Sequence, residues 1–266
     1  MNTTHDTSLN TLTLAQELSQ IISKIAAKEL DFFADNNIEI LHDLRVDLRK
    51  LRTWLKIIAL NGYPLTKLYK HTTHCHTLGG ELRNFDVLNH WIKTNPLLVS
   101  AKLHQTFKLK RKKSRKVFLK ELTHQNLLQQ LRVLGRNFLP HIKGITKSDF
   151  EPQVQLYIDK KRDEFNRILP KVSEDVEQLH KMRKILKKVR YALQLLQTIK
   201  QEHQDALKHL QDMLGYINDR RVWIELVQSH LKENEETTAL KNMFNAEMKK
   251  KIEEFTEYIS LEKVYF

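Results

Sequence analysis

The stretch LHDLRVDLRKLRTWLKII, Leu41 to Ile58, decides how the chain is read. Wound at about 100° per residue, Leu41, Leu44, Leu48, Leu51, Leu55 and Ile58 fall on one continuous seam, the core-facing stripe of an amphipathic helix. His42, Arg45, Arg49, Arg52 and Lys56 fall on a second seam, centred roughly 100° around from the first by the same geometry. The cations flank the core and do not oppose it. Asp43 and Asp47 lie on the other flank, so no acid on this helix is placed at i,i+3 or i,i+4 to neutralise the basic seam. Long basic stems can cover the edge of a core while their heads reach water. Like charges stacked turn upon turn still repel unless an anion sits among them.

The pattern returns further along. LHKMRKILKKVRYAL, 179–193, superimposes on LHDLRVDLRKLRTWL, 41–55, without a gap: His180 on His42, Arg183 on Arg45, Lys187 on Arg49, Lys188 on Lys50, Arg190 on Arg52. Its apolar seam is Leu179, Met182, Leu186, Val189, Leu193 and Leu196. GELRNFDV, 80–87, likewise pairs with GYINDRRV, 215–222, and Arg111, Lys112 and Lys113 fall opposite Lys249, Lys250 and Lys251. Signals kept in order at nearly the same offset suggest duplicated halves. The stripes favour arginine, whose planar fork suits bidentate contact with phosphate.

Composition agrees with a helical fold. Only six glycines and five prolines punctuate 266 residues, and 41% hydrophobic content is ample for a core. Lys plus Arg number 45 against 32 Asp plus Glu, a formal charge of +13, which calls for a polyanionic partner. Nucleic acid, an acidic membrane surface and polyphosphate all qualify. Cys75 is the only cysteine, so no internal disulfide forms, and the simple expectation is a cytosolic protein. The N-terminal MNTTHDTSLNTLTLAQELS lacks the basic and apolar regions of an export signal, and nowhere do eighteen apolar residues run together.

The breaks place the helices. Ser8 is the expected N-cap of a first helix reaching Asp35, with NN at 36–37 ending it and the quoted helix starting near Ile38. NGYP at 61–64 ends that helix, and Pro64 suits the first turn of a third running to LGG at 78–80. Asn84 or Asp86 is then expected to cap a short helix ending near 95–96, with a basic helix over about 98–121 after it. GRNFLPHIKGITKSDFEP, Gly135 to Pro152, has a linker's mix and marks the boundary between halves 1–145 and 146–266. The second half predicts helices near 153–169, 174–200, 202–214, 218–232 and 235–258.

Three further stretches carry chemistry. KLKRKKSRKVFLK, Lys108 to Lys120, is the densest basic run, and its alignment with Lys249–Lys251 predicts that Arg111 and Arg115 share the site of the stripes; the same cluster suits nucleic-acid phosphates. HTTHCHTLGG sets His71 and Cys75 at i,i+4, but a structural zinc needs four ligands and no CxxC or HxxxH partner occurs, so no metal is expected. Asp86 and Asp219 stand beside the glycine motifs, where capping or orienting a stripe arginine suits them better than catalysis. No GxxxxGK[ST] loop or GxSxG elbow is present, and no enzyme is expected.

Taken together, L-H-x-x-R-x-x-x-R-K-L-R at 41–52, L-G-G-E-L-R-N-F-D-V-L at 78–88, L-H-x-x-R-x-x-x-K-K-V-R-Y at 179–191 and L-Q-D-M-L-G-Y-I-N-D at 210–219 resemble the conserved-histidine α-helical domain, the CHAD domain, over about 20–260. The resemblance implies two pseudo-symmetric four-helix bundles around a basic central channel that binds inorganic polyphosphate, and an association with polyphosphate granules. Its site residues carry over to His42, Arg45, Arg49, Lys50, Arg52, His180, Arg183, Lys187, Lys188 and Arg190, with Arg83 a further candidate. Asn84 departs from the family's usual acid, and Arg220 and Arg221 stand where it tends to be small and neutral. No acidic strand pattern of a fused CYTH-type triphosphatase occurs. The expectation is an all-α, stand-alone, cofactor-free polyphosphate-binding module. A polyphosphate hydrolase or kinase, and a binder of nucleic-acid backbones, are its rivals.

Overall fold

The computed structural model of the chain describes residues 13–34, 37–124, 126–146, 148–171, 175–196 and 201–261, and every regular element among them is helical. The helices are α1 (Leu14–Ala34), α2 (Ile38–Ala59), α3 (Thr66–Leu78), α4 (Gly80–Thr94), α5 (Ala101–His124), α6 (Leu127–Phe138), α7 (Glu151–Ile168), α8 (Val176–Leu196), α9 (Gln201–His230) and α10 (Glu235–Leu261). Ser8, Asp35 and Asn36, expected to bound the first helix, lie outside the described residues, as does the side chain of Leu196.

The quoted stretch forms the middle of α2. Asn37 caps it by accepting the Glu39 amide, Glu39 sits in the first turn and Lys56 in the last, each with the sign that suits the helix dipole. All six residues of the apolar seam are buried. Truncating a leucine at such a site, Leu48 for instance, costs about 2–5 kcal/mol. Asp47, on the far flank, is buried 3.5 Å from Lys24 and 3.8 Å from Lys28 of α1. Asp43 and Asp47 are thus engaged away from the basic seam, by Lys24 and Lys28 of α1.

Helices α1, α2, α3 and α6 close a ring of neighbours, and α7, α8, α9 and α10 pack in series. The two groups meet where α2 lies against α8, and there the Trp54 indole donates to the Tyr191 carbonyl at 2.8 Å. The larger apolar core runs through this contact, from α1–α3 and α6 into α7–α9. A smaller core joins α4 and the start of α5 to the later part of α9 and α10, around Phe85, Phe107, Trp223 and Phe244.

Four expectations are corrected. Gly135 to Pro152 is pinned in place: α6 runs through Gly135, a 3₁₀ turn follows at Leu139–Ile142, Ile142 and Phe150 are buried, and the Ile145 carbonyl accepts the Leu14 amide at 3.2 Å. Gly135 is a packing glycine, since a Cβ there would lie 2.6 Å from Ile22 Cδ1. The helices expected at 202–214 and 218–232 are one, α9, because Leu210, Leu214 and Ile217 stay buried on either side of Gly215 and hold the helix through it. Finally, α4 begins at Gly80, so Asn84 and Asp86 lie inside it and cap nothing. Pro64 likewise precedes α3, which starts at Thr66.

Candidate functional site

The packing of α2 on α8 turns two flanking stripes into one cleft lining. Arg45, Arg49 and Arg52 come from α2, and Arg183, Lys187 and Arg190 from α8, all half-buried. Arg83 joins them from α4, donating to the Ile38 carbonyl at 3.3 Å. The guanidiniums are steadied by neutral acceptors. Arg45 donates to the carbonyl of His76, and Arg49 Nε donates to the carbonyl of Arg45 at 3.1 Å. Arg190 lies 5.3 Å from the ring centroid of Tyr191, and the Nε groups of Arg183 and Arg190 are buried without a hydrogen-bond partner. Buried donors are rarely left so in a settled structure.

The electrostatics of the cleft are those of crowded cations. Burial, then Arg49, Arg83, Arg52 and Arg183, draws Arg45 down to about 10, which leaves it charged at neutral pH. Burial, with Arg183, Arg49 and Arg190 adding and Asp219 opposing, draws Lys187 down to about 5. Arg49 and Arg183 are lowered chiefly by burial as well. Asp219 of α9 is the carboxylate that acts on this group, and its own carboxyl is raised by burial against the pull of Arg183 and Lys187. Asp219 here and Glu39, 4.0 Å from Arg83, are far outnumbered, which leaves a strong local excess of positive charge.

Two glycines lie within ordinary contact distance of stripe arginines. Gly80 stands 3.7 Å from Arg45 Nη1, and Gly215 stands 3.9 Å from Arg183 Nε, both measured from where a Cβ would be. The paired glycine motifs of the sequence thus place a residue without a side chain beside the first arginine of each stripe. The stripe histidines sit at its outer end. His42 is half-buried and lowered by burial and by Arg83; His180 donates from Nδ1 to Asn218 Oδ1 at 2.7 Å.

The expected site residues do not all converge. Lys188 lies further along with Lys56, Arg52 and Lys161, next to Glu164, and Lys56 is exposed there. Lys50 stacks over the Trp54 ring at 4.5 Å. Arg111 and Arg115 are turned elsewhere: Arg111 pairs with Asp86, which is 2% exposed, and Arg115 donates to the Phe32 carbonyl at 2.9 Å. Both line a separate groove, because α5 packs on α4 and α6 and not on α8.

His76 is the residue the sequence reading missed. Its imidazole is pushed down to about 2 by burial and by Arg45, Arg52, Arg49 and Lys187, and its Nε2 is buried without a partner. The signal was its place three residues before Gly79, on the turn whose carbonyls hold Arg45. The remaining members of HTTHCHTLGG part company: His71 Nε2 lies 2.6 Å from the Leu127 carbonyl, and Cys75 is buried, its thiol raised to about 12 by burial. Among the described residues no three His, Cys, Asp or Glu side chains gather as a metal site, and no helix is long and apolar enough to cross a membrane.

Such a cleft can hold an extended anion by charge-assisted hydrogen bonds from both walls. Comparison with known proteins agrees with the fold. The structure is similar to the crystal structure of the CHAD domain from the plant Ricinus communis, with a TM-score of 0.70 and 19% identity over 91% of this chain and 92% of that one. No curated protein matches the chain. The CHAD domain matches residues 16–228, which takes in both histidine-led stripes and both glycine motifs, and the chain belongs to the CHAD domain family.

Proposed function

We propose that this protein binds inorganic polyphosphate, without turning it over, along the cleft between α2 and α8. The observation that carries the reading is the facing set Arg45, Arg49, Arg52, Arg183, Lys187 and Arg190, crowded enough to draw Lys187 down to about 5 with Asp219 as its counter-charge. Polyphosphate has an anion on every link, with no sugar or base between, and so presents the densest linear charge to such a lining. Membership of a family associated with polyphosphate supports it. Half-buried cations held by backbone carbonyls suit binding, and among the described residues Asp219 answers chiefly to Arg183 and Lys187, an arrangement suited to holding an anion and not to acid–base work. A protein at polyphosphate granules in the cytoplasm would use such a cleft.

Calorimetric titration with long-chain polyphosphate, alongside duplex DNA of matched charge, tests the reading. Wild type should bind polyphosphate far more tightly than DNA and leave it uncleaved. Arg49→Ala/Lys187→Ala should lose at least about a hundredfold, two charge-assisted contacts being involved. Equal affinity for DNA, indifference to the double substitution, or release of phosphate would each overturn it.

A further inference from the structure

Away from the cleft, a groove of about 910 Å³ opens between α4 and α5 at the start of α2. Lys93 of α4 and Lys108, Arg111, Lys112, Arg115 and Lys116 of α5 line it, over a floor that includes Ile38, Leu109 and Leu119. Its one acid, Asp86, is buried and engaged with Arg111. Lys108, Lys112 and Lys116 are exposed and recur every fourth residue, about 6 Å apart along the helix axis. The only acid of α5 is Glu121, near its far end, so this ladder has no intrahelical counter-charge. Lys93 and Lys108 both line the groove, and His104 is lowered by burial and then by these two lysines.

The groove and the cleft share a border. Arg83 acts on Arg45 and Arg49 in the cleft and on Asp86 in the groove, while its guanidinium is fixed to the carbonyl of Ile38, a groove-lining residue. Arg83 thus joins the cations of the cleft to those of the groove, and Glu39, 4.0 Å from it, is the acid at that border.

We propose that the α4–α5 groove is a second segment of the polyanion site, taking the part of a long polyphosphate chain that runs past Arg83 out of the cleft. This rests on the polyphosphate reading above. Linked phosphates already held in the cleft meet the lysine ladder at high effective concentration, so the groove adds affinity for long chains alone. It supplies a physical basis for chain-length selection. The only ring among the residues that line the groove is the His90 imidazole, with no Phe, Tyr or Trp to stack successive bases, which favours a bare phosphate chain over a single strand of nucleic acid.

The test titrates tripolyphosphate, long-chain polyphosphate and duplex DNA against three proteins: wild type, the groove variant Lys108→Glu/Lys112→Glu/Lys116→Glu, and a control of equal net charge, Lys208→Glu/Lys249→Glu/Lys250→Glu, altered at exposed sites elsewhere. The groove variant should bind long chains at least about tenfold more weakly and lose roughly 2 from the slope of log affinity against log salt. Its affinity for tripolyphosphate should match the control's. Equal losses in groove and control variants, a matching loss for tripolyphosphate, or a loss confined to DNA would overturn the second segment. Failure of wild type to bind either polyphosphate would instead sink the reading of the cleft itself. Since the altered lysines are exposed, unchanged thermal melting should accompany every variant, and Lys→Arg at the three groove positions should restore long-chain affinity.

Discussion

Lys187 is the residue on which the cleft's charge is most legible. Its amine falls from an ordinary 10.5 to about 5 through burial, Arg183, Arg49 and Arg190, against Asp219. Between those values the unfolded chain binds a proton that the folded chain does not, so this group's contribution to stability rises with pH. Below the folded value both states are protonated and the full penalty of a buried charge applies. Lys187→Met should therefore stabilise the free protein by on the order of 1 kcal/mol, about 2–4 °C in melting temperature, while weakening polyphosphate binding. A phosphate chain in the cleft reverses the sign of the surroundings and draws a proton back onto Lys187. Affinity should then fall by up to about tenfold per unit between roughly pH 6 and 8, and Lys187→Arg, charged throughout, should flatten that profile. A flat profile in wild type would show that Lys187 does not take up a proton with the ligand. The stripe arginines were readable because a period of 3.6 fixes which residues share a face. His76 was not, because it reaches the cleft from α3, and only tertiary packing brings α3 to α2.

At the level of elements, glycines decide how closely helices approach, and the sequence marks the glycine without saying what it faces. Gly135 lies in α6 against Ile22 of α1, with 2.6 Å from a would-be Cβ to Cδ1 and 3.3 Å to Cγ2. Alanine is the better helix former by about 1 kcal/mol, yet overpacking costs about 1–3 kcal/mol. Gly135→Ala should destabilise by roughly 1 kcal/mol in denaturant titration, and Gly135→Ala/Ile22→Val, which removes Cδ1, should recover most of it. Stabilisation by the single change would show that α1 and α6 can part without loss. Helix existence and most boundaries were legible from caps and apolar period. What misled was composition: Gly215 with Tyr, Ile, Asn and Asp after it reads as a break, and so does Gly135 with Pro140 nearby. Buried neighbours overrule both, Leu214 and Ile217 in one case and Ile22 and Phe138 in the other.

Over the whole molecule, a formal charge of +13 and a cleft whose cations outnumber its acids predict that occupancy and folding are linked. Long-chain polyphosphate at a hundred times its dissociation constant should stabilise the protein by about 2.7 kcal/mol, and added salt should erase that gain steeply as counterion release loses its advantage. A melting temperature indifferent to polyphosphate at low salt would contradict the linkage. The sequence's two halves were visible as a repeat of motifs, but the cores were not visible at all. Apolar residues reveal that they are buried and not against what, and both cores draw helices from either side of residues 135–152. One feature of the cleft also bears on rates. Arg45 and Arg49 are tethered to the carbonyls of His76 and Arg45, acceptors that orient a guanidinium without cancelling it. A guanidinium locked to a carboxylate must surrender that partner before it can accept another, and the exchange sets a barrier. At Arg45 and Arg49 an arriving anion displaces no carboxylate, so capture there proceeds as fast as encounter allows, and how long the anion stays is left to the number of cations it spans.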